Sequence, residues 1–267
     1  MNSGNVIYNR RLKAGDYHLA LRLPTGFADP LPGQFVMLRT TAPAPLLSRP
    51  FSVYRFTRHR GHVVLELLYR VVGGGTKLFS QMPSGTEVKV LGPLGRGFRI
   101  GRAVRNHVLI AGGMGIAPIS FLAEFLQQTM GREKGMTFCL GAKSSDDFVG
   151  LERLEEIGGH FHIATDDGTL GTCGLVTDML PGLAAGWNPR VTSLYVCGPP
   201  GMLRSLAACL PAGIPCQVSM EARMACGLGA CLGCAISTVT RRNKIVKKTV
   251  CRDGPVFDLR EICWEAL

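Results

Sequence analysis

Short apolar runs separated by turn residues dominate the first hundred residues of the chain. Alternating or continuous apolar positions predict strands, and breaks that contain Pro or Gly separate many of them. One short helix is predicted over residues 76–81, directly after a glycine run. Several short strands with one short helix predict a small antiparallel barrel. The predicted strands cover residues 17–23, 34–39, 51–56, 62–72 and 87–91.

The pattern changes near residue 105, where short apolar strands begin to alternate with helical stretches. Such alternation predicts a parallel sheet of the nucleotide-binding kind. From about residue 218 the chain becomes rich in Cys and Gly. The sequence therefore predicts a β barrel plus an α/β domain and a small C-terminal domain, with bounds 1–101, 102–217 and 218–267. The predicted strands of the second part are 107–111, 136–140, 160–164 and 194–197, and its predicted helices are 119–128, 174–180 and 202–210.

Composition is compatible with this three-part reading. The chain has 267 residues, 46% of them hydrophobic, which suffices for two modest domains and an appendage. No apolar run approaches 18 residues, and residues 1–8 lack the pattern of a secretory signal, so we expect a cytoplasmic protein without a membrane span. The net charge of +11 suits anionic dinucleotides or an acidic partner. Nucleic acid is disfavoured, because aromatic residues are few and no nucleic-acid-binding motif occurs.

Four of the ten cysteines are grouped, and their spacing indicates a metal site. Cys226 is followed by four residues and Cys231, then by two residues and Cys234, and then by sixteen residues and Cys251. Plant-type ferredoxins use this arrangement for a [2Fe–2S] cluster, in which each iron takes two thiolates. Small residues between the first three cysteines leave room for backbone N–H groups to face the cluster. Structural zinc remains the alternative, since it also uses paired cysteines.

Two segments of the predicted barrel carry groups that suit a flavin nucleotide. In the tetrapeptide 49–52, Arg49 offers a fork of donors to a pyrophosphate and Ser52 offers a hydroxyl to a polar ring edge. Residues 68–70 place an aromatic ring beside a cation, and a glycine run then leads through Gly75 and Thr76 into the short helix, where free N–H groups suit phosphate. An ordinary strand and a flexible surface loop are the alternatives.

Two strand ends of the α/β part suit a dinucleotide. Gly112, Gly113 and Gly115 stand between a predicted strand and the helix after it, which is the arrangement that admits a pyrophosphate. Cys197 and Gly198 end a later strand, and ligands of open α/β sheets bind at the carboxyl ends of strands.

These motifs, in this order, resemble the ferredoxin–NADP reductase superfamily, and more closely the electron-transfer subunits of class 1B dihydroorotate dehydrogenases. The resemblance spans essentially the whole chain. Its landmarks are RPFS (49–52), LYRVVGGGT (68–76), GPLGRGF (92–98), AGGMGIAP (111–118), TDDG (165–168), YVCGPP (195–200) and EARMACGLGACLGC (221–234).

The resemblance implies a role for each matched residue. The FAD-binding residues would be Arg49, Pro50, Phe51, Ser52, Leu68, Tyr69, Arg70, Gly75 and Thr76. The NAD(H) site would contain Gly112, Gly113, Gly115, Cys197 and Gly198, and the cluster ligands would be Cys226, Cys231, Cys234 and Cys251. Ser52 near the reactive flavin nitrogen and Cys197 near the nicotinamide would be the two residues at the reacting atoms.

The resemblance also implies an activity and a partner. Electrons would pass between NAD(H) and a separate FMN-bearing catalytic subunit by way of FAD and the [2Fe–2S] cluster, in pyrimidine (UMP) biosynthesis. The two kinds of subunit would form a heterotetramer, with neither nucleic acid nor membrane as a partner. Many simpler reductases end in an aromatic residue that stacks on the flavin; here the chain continues into the cysteine-rich segment, so the group that covers the flavin is left open.

Two alternative functions stay open on sequence alone. The first is the small FAD/[2Fe–2S] subunit of an NADH-dependent ferredoxin:NADP oxidoreductase or of a sulfide dehydrogenase, which shares these motifs. The second is a non-catalytic zinc module that binds nucleic acid, supported by the net charge and by the basic run 241–248. That run is most simply a solvated hairpin, or a contact for the partner. The direction of electron flow and the choice between NADH and NADPH are not fixed by the sequence.

Overall fold

The computed structural model describes residues 1–41, 47–130, 135–240 and 242–266, and its first part is a closed antiparallel barrel. The strands follow one another around the barrel in the order β1-β2-β5-β4-β3-β6. A single short helix, α1 (Gly74–Ser80), lies between the last two strands in the chain. The barrel strands are β1 (Asn2–Arg11), β2 (Asp16–Leu23), β3 (Phe35–Thr40), β4 (Arg49–His59), β5 (His62–Arg70) and β6 (Glu87–Leu94).

The barrel confirms the prediction for this part of the chain and adds β1, which was not among the predicted strands. Only Val6 of this strand is a fully buried apolar residue, and Asn, Gly and Arg supply most of its length. The strand exists because its backbone pairs with both β2 and β6 and so closes the barrel. Pairing of this kind overrides weak local propensity.

The second part is built on a seven-stranded sheet in the order β10-β9-β8-β7-β11-β12-β15, which is parallel except at its last edge. The predicted parallel sheet is therefore confirmed. Its strands are β7 (Asn106–Gly112), β8 (Gly135–Ala142), β9 (His160–Thr165), β10 (Thr172–Cys173), β11 (Thr192–Cys197), β12 (Cys216–Ser219) and β15 (Val256–Asp258). Its helices are α2 (Ile116–Met130), α3 (Leu151–Ile157), α4 (Val176–Ala184) and α5 (Pro200–Cys209).

The centre of this sheet is a point where strand order reverses. The chain enters at β7, continues outward through β8 and β9 on one side, and returns to place β11 on the other side. The carboxyl ends of β7 and β11 therefore stand side by side. Ligands of open α/β sheets bind in the crevice at such a point.

The C-terminal segment is anchored in this sheet as well as in its own hairpin. After the cysteine-rich loop come β13 (Ala235–Val239), β14 (Ile245–Thr249) and α6 (Val250–Asp253). The chain then returns through β15, which pairs antiparallel with β12. In the core, Cys234 and Cys251 join an apolar cluster that includes Met37 of the barrel. The cysteine segment is thus packed against the other two parts.

The three-part fold class is confirmed, whereas the bounds 1–101, 102–217 and 218–267 stay predictions. Among the helices of the described residues, none is both long enough and apolar enough to cross a membrane.

Candidate functional site

A cleft between the barrel and the α/β part collects most of the residues that the sequence predicted for FAD. They come from two adjacent barrel strands and from the helix that follows them. Apolar and aromatic side chains dominate the lining, as in many cofactor sites. The predicted residues that line this cleft are Pro50, Phe51, Ser52, Leu68, Tyr69, Arg70 and Thr76.

Arg49 and Gly75 do not line that cleft themselves but lie together beside it, next in the chain to its lining residues Pro50 and Thr76. The Arg49 guanidinium lies directly against Gly75, where an added Cβ would be 2.5 Å from Arg49 Nε. The Thr76 hydroxyl accepts hydrogen bonds from the backbone N–H groups of Val72 (2.9 Å) and Gly73 (3.2 Å), which fixes the turn into α1. A cation beside a glycine-lined turn fits the pyrophosphate of a dinucleotide.

Tyr69 contributes its ring to the cleft while its hydroxyl is held inside the barrel. The hydroxyl donates to Asn9 Oδ1 at 3.0 Å, and the ring stacks on Tyr17 and meets Phe51 edge-on. Burial raises the pKa of the Tyr69 phenol, so it stays a neutral donor. Three aromatic rings from three strands therefore make a rigid floor.

Arg70 lies between this cleft and a second one, and its guanidinium is already paired. It makes a bidentate contact with the fully buried Asp16, with Nε 2.7 Å from Oδ1 and Nη2 2.8 Å from Oδ2. Asp147 of the α/β part approaches Nη2 at 3.5 Å. The sequence predicted Arg70 but missed both carboxylates, because neither is near it in the chain.

The last residue of β12 and the residues after it form a wall of the first cleft that the sequence left unassigned. The same cleft is lined by Met114, just before α2, and by Ala117 in its first turn. The place of β12 in the sheet, between β11 and β15, brings these residues there, so no local motif could reveal their position. The wall residues are Ser219, Met220, Glu221, Ala222 and Met224.

The second cleft opens at the carboxyl ends of β7 and β11 and is lined by the predicted Gly112 and Gly113. Gly113 has a φ of +52° and open space where a Cβ would stand. Gly115 lies against the Cys197 carbonyl, so a side chain there would collide with backbone. These glycines leave room for a dinucleotide and for the close contact of two strand ends.

Lys143 and Asp166 are further charged residues of the second cleft. Asp166 follows β9 directly, at the same sheet edge as the glycines. Gly198, which the sequence assigned to this site, packs against Met202 of α5, and Met202 lines the cleft.

Cys197 is buried in the sheet at the end of β11 and is not among the residues that line either cleft. Its side chain is 2% exposed, and it stands opposite Ser219 of β12. Burial, with a further contribution from the Glu221 carboxylate, raises the pKa of the Cys197 thiol. The residue is therefore a neutral thiol and not a thiolate nucleophile.

The four grouped cysteines come together as two pairs. Cys234 Sγ is 3.3 Å from Cys251 Sγ, and both residues are buried. Cys226 is hydrogen-bonded to Cys231, which is the exposed member of the four. The fold thus brings together in space the four cysteines that the spacing predicted as ligands.

Backbone N–H groups of the loop point at these sulfurs. Gly229 donates to Cys251 Sγ at 3.0 Å, Leu228 approaches Cys226 Sγ at 3.4 Å, and Gly233 approaches Cys231 Sγ at 3.5 Å. N–H groups from Leu228 and Cys231 lower the pKa of Cys226 to about 6. Burial and the neighbouring Cys234 thiol raise the pKa of Cys251 to about 12. Donors aimed at sulfur stabilise the negative charge of a thiolate-ligated cluster.

The paired arrangement fits two irons better than one zinc ion. A single zinc ion takes its four ligands as one tetrahedral set, whereas these thiols are drawn together two by two. A binuclear cluster instead needs two thiolates at each iron, which is what two pairs supply.

Comparison with known proteins agrees with each of these sites. A model described as an oxidoreductase FAD-binding domain matches residues 13–98, and one described as an oxidoreductase NAD-binding domain matches 109–208. A third, the iron–sulfur cluster binding domain of dihydroorotate dehydrogenase B, matches 221–263. The predictions of FAD, NAD(H) and an iron–sulfur cluster are confirmed, and the zinc alternative is disfavoured.

Curated relatives match over most of the chain. One from Desulforamulus reducens is 37% identical over 251 residues, covering 93% of each protein, and one from Listeria welshimeri is 40% identical over 236 residues, covering 88% of each. Both are named dihydroorotate dehydrogenase B (NAD(+)), electron transfer subunit. This chain belongs to that family. The dihydroorotate dehydrogenase B electron-transfer subunits are thus the relatives that the sequence motifs indicated, and the prediction of an NAD-linked oxidoreductase subunit is confirmed.

Solved structures show the same fold. An NADH-dependent reduced ferredoxin–NADP oxidoreductase matches 98% of this chain with a TM-score of 0.82 and 25% identity, covering 90% of its own chain. The ferredoxin reductase of carbazole 1,9a-dioxygenase matches 79% of this chain and 66% of its own, with a TM-score of 0.64 and 22% identity. The carbazole dioxygenase reductase thus leaves about a fifth of this chain unmatched. The ferredoxin–NADP oxidoreductase matches nearly all of it, as the curated dihydroorotate dehydrogenase B relatives do.

Proposed function

We propose that this chain carries electrons between NAD(H) and an FMN-bearing dihydroorotate dehydrogenase subunit, in the pathway of pyrimidine synthesis. Residues 1–101 would hold FAD, residues 102–217 would hold NAD(H), and residues 218–267 would hold the [2Fe–2S] cluster. The name shared by relatives up to 40% identical supports the activity. Heterotetrameric assembly and a cytoplasmic location remain predictions.

One observation carries the proposal: the wall of the first cleft continues directly into the thiol cluster. Met224 lines the cleft, and Cys226 is two residues further along the chain. Cys231, in the same loop, is exposed. The loop thus reaches from the cleft to the protein surface, which is the placement that an electron relay requires.

On the barrel side, the residues serve to bind and orient. Arg49 beside Gly75 offers a cation to the pyrophosphate, and the Tyr69–Phe51 floor excludes water from one side of the cleft. Ser52 offers its hydroxyl at the cleft wall. When bound, FAD supplies hydride acceptance from a nicotinamide, and the cluster supplies one-electron transfer. The protein supplies position and electrostatics.

In the dinucleotide cleft, two features suit NAD(H). Gly113 leaves open space for the pyrophosphate beside Gly112, which packs closely against Met202, and Asp166 offers a carboxylate to a ribose diol. The same carboxylate repels the extra phosphate of NADP(H). Cys197, buried beside Ser219 of the first cleft, stays a neutral thiol, which can give a hydrogen bond but not attack carbon.

Around the cluster, two exposed leucines support contact with a partner protein. Leu228 is 55% and Leu232 is 65% exposed, and they flank Cys231 in the chain. Leu232 also has a φ of +57°, which is uncommon for this residue type. Apolar side chains held at the surface next to an electron-transfer site suit a docking face.

The basic run forms a hairpin beside this loop, with Arg241 outside the described residues. Its strands are β13 and β14, and Lys248 pairs with Glu261 at 2.8 Å. Lys247 Nζ donates a hydrogen bond to Ser237 Oγ at 2.8 Å, so two lysines of the basic run already have partners within the C-terminal segment.

A second candidate function is the small subunit of an NADH-dependent ferredoxin–NADP oxidoreductase. The structural likeness of such an enzyme over 98% of this chain favours it. The two candidates share every site described above and differ in the partner that receives the electrons. Co-purification of this chain from its own cells, followed by cofactor analysis of the partner, separates them: FMN alone favours the first, and additional iron–sulfur clusters favour the second.

The wiring is tested by Cys231→Ser in the full complex. We expect iron and sulfide content to fall to near zero and electron delivery to the partner to stop. NADH oxidation with an artificial acceptor should continue within about twofold of the wild type, because the first cleft does not contain Cys231. Cys209→Ser, remote from the loop, is the matched control. Normal reduction of the partner by the Cys231→Ser protein would contradict the proposal.

A further inference from the structure

Four charged side chains form a row of ion pairs across the boundary between the barrel and the α/β part. Arg55 of β4 and Glu66 of β5 come from the barrel, while Glu124 of α2 and Arg153 of α3 come from the other part. Arg153 Nη2 is 2.6 Å from Glu124 Oε2, Arg55 Nε is 3.8 Å from Glu124 Oε1, and Arg55 Nη1 is 3.7 Å from Glu66 Oε1. The signs alternate along the row, so its net charge is zero.

Burial distinguishes this group from ordinary surface ion pairs. The side chains of Glu66, Glu124 and Arg153 are 10%, 16% and 17% exposed, and that of Arg55, which joins the two carboxylates, is 38% exposed. Arg55 Nε, Glu124 Oε2 and Arg153 Nε are hidden from solvent and make no hydrogen bond within the described part of the chain, so charge attraction holds the group together. Charges removed from water in this way must stay close to their partners, because a separated partner would leave an uncompensated buried charge.

Aromatic and polar neighbours hold both ends of the group in place. Glu66 accepts a hydrogen bond from the Tyr8 hydroxyl at 2.9 Å and lies 2.8 Å from His18 Nε2. Despite the opposing effect of burial, these bonds keep the pKa of Glu66 below its usual value. At the other end, the Arg153 guanidinium lies 6.0 Å from the centre of the Tyr54 ring. Tyr54 reaches this place because Gly150, at the start of α3, has no side chain to block its hydroxyl.

Glu124 is mounted on the helix that begins at the dinucleotide turn. α2 follows Gly115 directly, and Met114 and Ala117 at its start line the first cleft. Apolar contact alone already docks this helix, since Phe121 is buried in the barrel core cluster. Apolar packing is non-directional and resists sliding weakly, whereas ion pairs fix a position along and around the helix axis.

We propose that Glu124 is a positioning residue, which locks α2 against the barrel through Arg55 and Arg153 and thereby sets how closely the dinucleotide turn approaches the flavin-side cleft. The inference rests on the proposed function, because it concerns the approach of NAD(H) to FAD. A misplacement of about 1 Å between reacting groups can cost roughly a hundredfold in rate, so a remote lock of this kind has catalytic consequences.

The test is Glu124→Gln in the FAD- and cluster-loaded protein. Gln keeps the size of the side chain and removes the charge that both arginines share. We expect FAD and iron content to stay at wild-type values. The long-wavelength absorbance of the complex with NAD(H) should weaken, and flavin reduction at saturating NADH should slow about tenfold. The dissociation constant for NADH should change less than about twofold, because no group that lines the second cleft is altered.

A second variant covers the case in which Glu124→Gln does not fold. Arg55→Lys keeps the charge but replaces a fork that spans two carboxylates with a single ammonium group. We expect flavin reduction to slow about threefold in this variant. The control is Asp146→Asn, which breaks the exposed Lys13–Asp146 pair across the same boundary, where the side chains are 70% and 74% exposed. This change should leave rate and absorbance unaltered.

The outcomes separate this inference from the proposed function. Wild-type rates and absorbance in both Glu124→Gln and Arg55→Lys, in a protein that NADH reduces normally, would overturn the inference alone. An equal loss in Asp146→Asn would overturn it too, because any disturbance of the boundary would then suffice. A wild-type protein that binds FAD but is not reduced by NADH would contradict the proposed function and the inference with it.

Discussion

The thiol cluster and the flavin-side cleft gather their residues in opposite ways. Three of the four thiols lie within residues 226–234, and three of the N–H groups that point at the sulfurs belong to the same loop, while a fourth is that of Cys251. The cleft takes its walls from barrel strands, from the start of α2 and from residues 219–224. The thiol cluster is therefore encoded almost locally, whereas the flavin-side cleft exists only when all three parts are packed together.

The largest effect should come from a glycine that joins two strand ends. In Gly115→Ala the new methyl group collides with the backbone carbonyl of Cys197, which cannot move aside like a side chain. We expect a loss of stability of about 2–3 kcal/mol and at least a tenfold slower reduction of FAD by NADH. Thermal unfolding and rapid-mixing absorbance measure the two effects.

The control for this glycine is Gly182→Ala in α4, where no atom lies within 4 Å of an added Cβ. That change should stabilise the helix by about 1 kcal/mol or leave stability unaltered. Cluster content should be normal in both variants. A Gly115→Ala protein as stable and as fast as the wild type would show that the contact between β7 and β11 is looser than the structure indicates.

An intermediate effect should come from Arg49, the cation that we assign to the pyrophosphate of FAD. Arg49→Met removes the guanidinium that lies against Gly75. A charge-assisted contact with a phosphate contributes about 1.5–3 kcal/mol, so FAD affinity should fall roughly 10- to 100-fold. Titration of the flavin-free protein with FAD measures this. Arg60→Met, exposed between β4 and β5, is the matched control. Unchanged affinity in Arg49→Met would remove Arg49 from the proposed site.

The smallest effect should come from a charge at the edge of the thiol cluster. The Arg252 side chain packs against Gly229, whose N–H donates to Cys251 Sγ. In Arg252→Gln, the ratio of reduced to oxidised cluster at a fixed potential should fall about threefold, because a nearby cation favours the added electron. The effect is small since the side chain is 68% exposed and solvent screens its charge.

Redox titration monitored by electron paramagnetic resonance measures that ratio. Lys244→Gln, at the far end of the β13–β14 hairpin, should leave it unchanged. If both variants shifted the ratio equally, the charge at position 252 would have no special place near the cluster.

Local sequence patterns were sufficient to predict the sites whose residues lie close together in the sequence. The cysteine spacing named four thiols that the structure brings together in two pairs, and the glycine turn before α2 lies at the strand end where the sequence put it. Both motifs can be recognised because one short stretch of backbone supplies three of the four thiols in one case and the glycine turn in the other.

Other features could not be seen in the sequence. β1 has few apolar residues and is a strand because it closes the barrel. Arg70 has the side chain expected of a phosphate contact, yet Asp16 and Asp147 hold it, one from each side of the domain boundary. These outcomes depend on pairing and burial between distant segments, for which a single sequence carries no signal.

Residue types and short spacings were enough to indicate the kinds of chemistry: thiolates at ferredoxin spacing, a cation and glycines for phosphates, and a sheet of the dinucleotide-binding type. How these sites are joined could be seen only in the folded chain. β12 pairs with β11 and ends at Ser219 in the wall of the cleft, and the chain continues from there through Met224, which also lines the cleft, to Cys226. The antiparallel pairing of β15 with β12 then returns the end of the chain to the sheet. The physical reason is that ligand chemistry resides in side-chain type and short spacing, whereas the distance between sites is set by the burial of apolar surface and of paired charge across the whole chain.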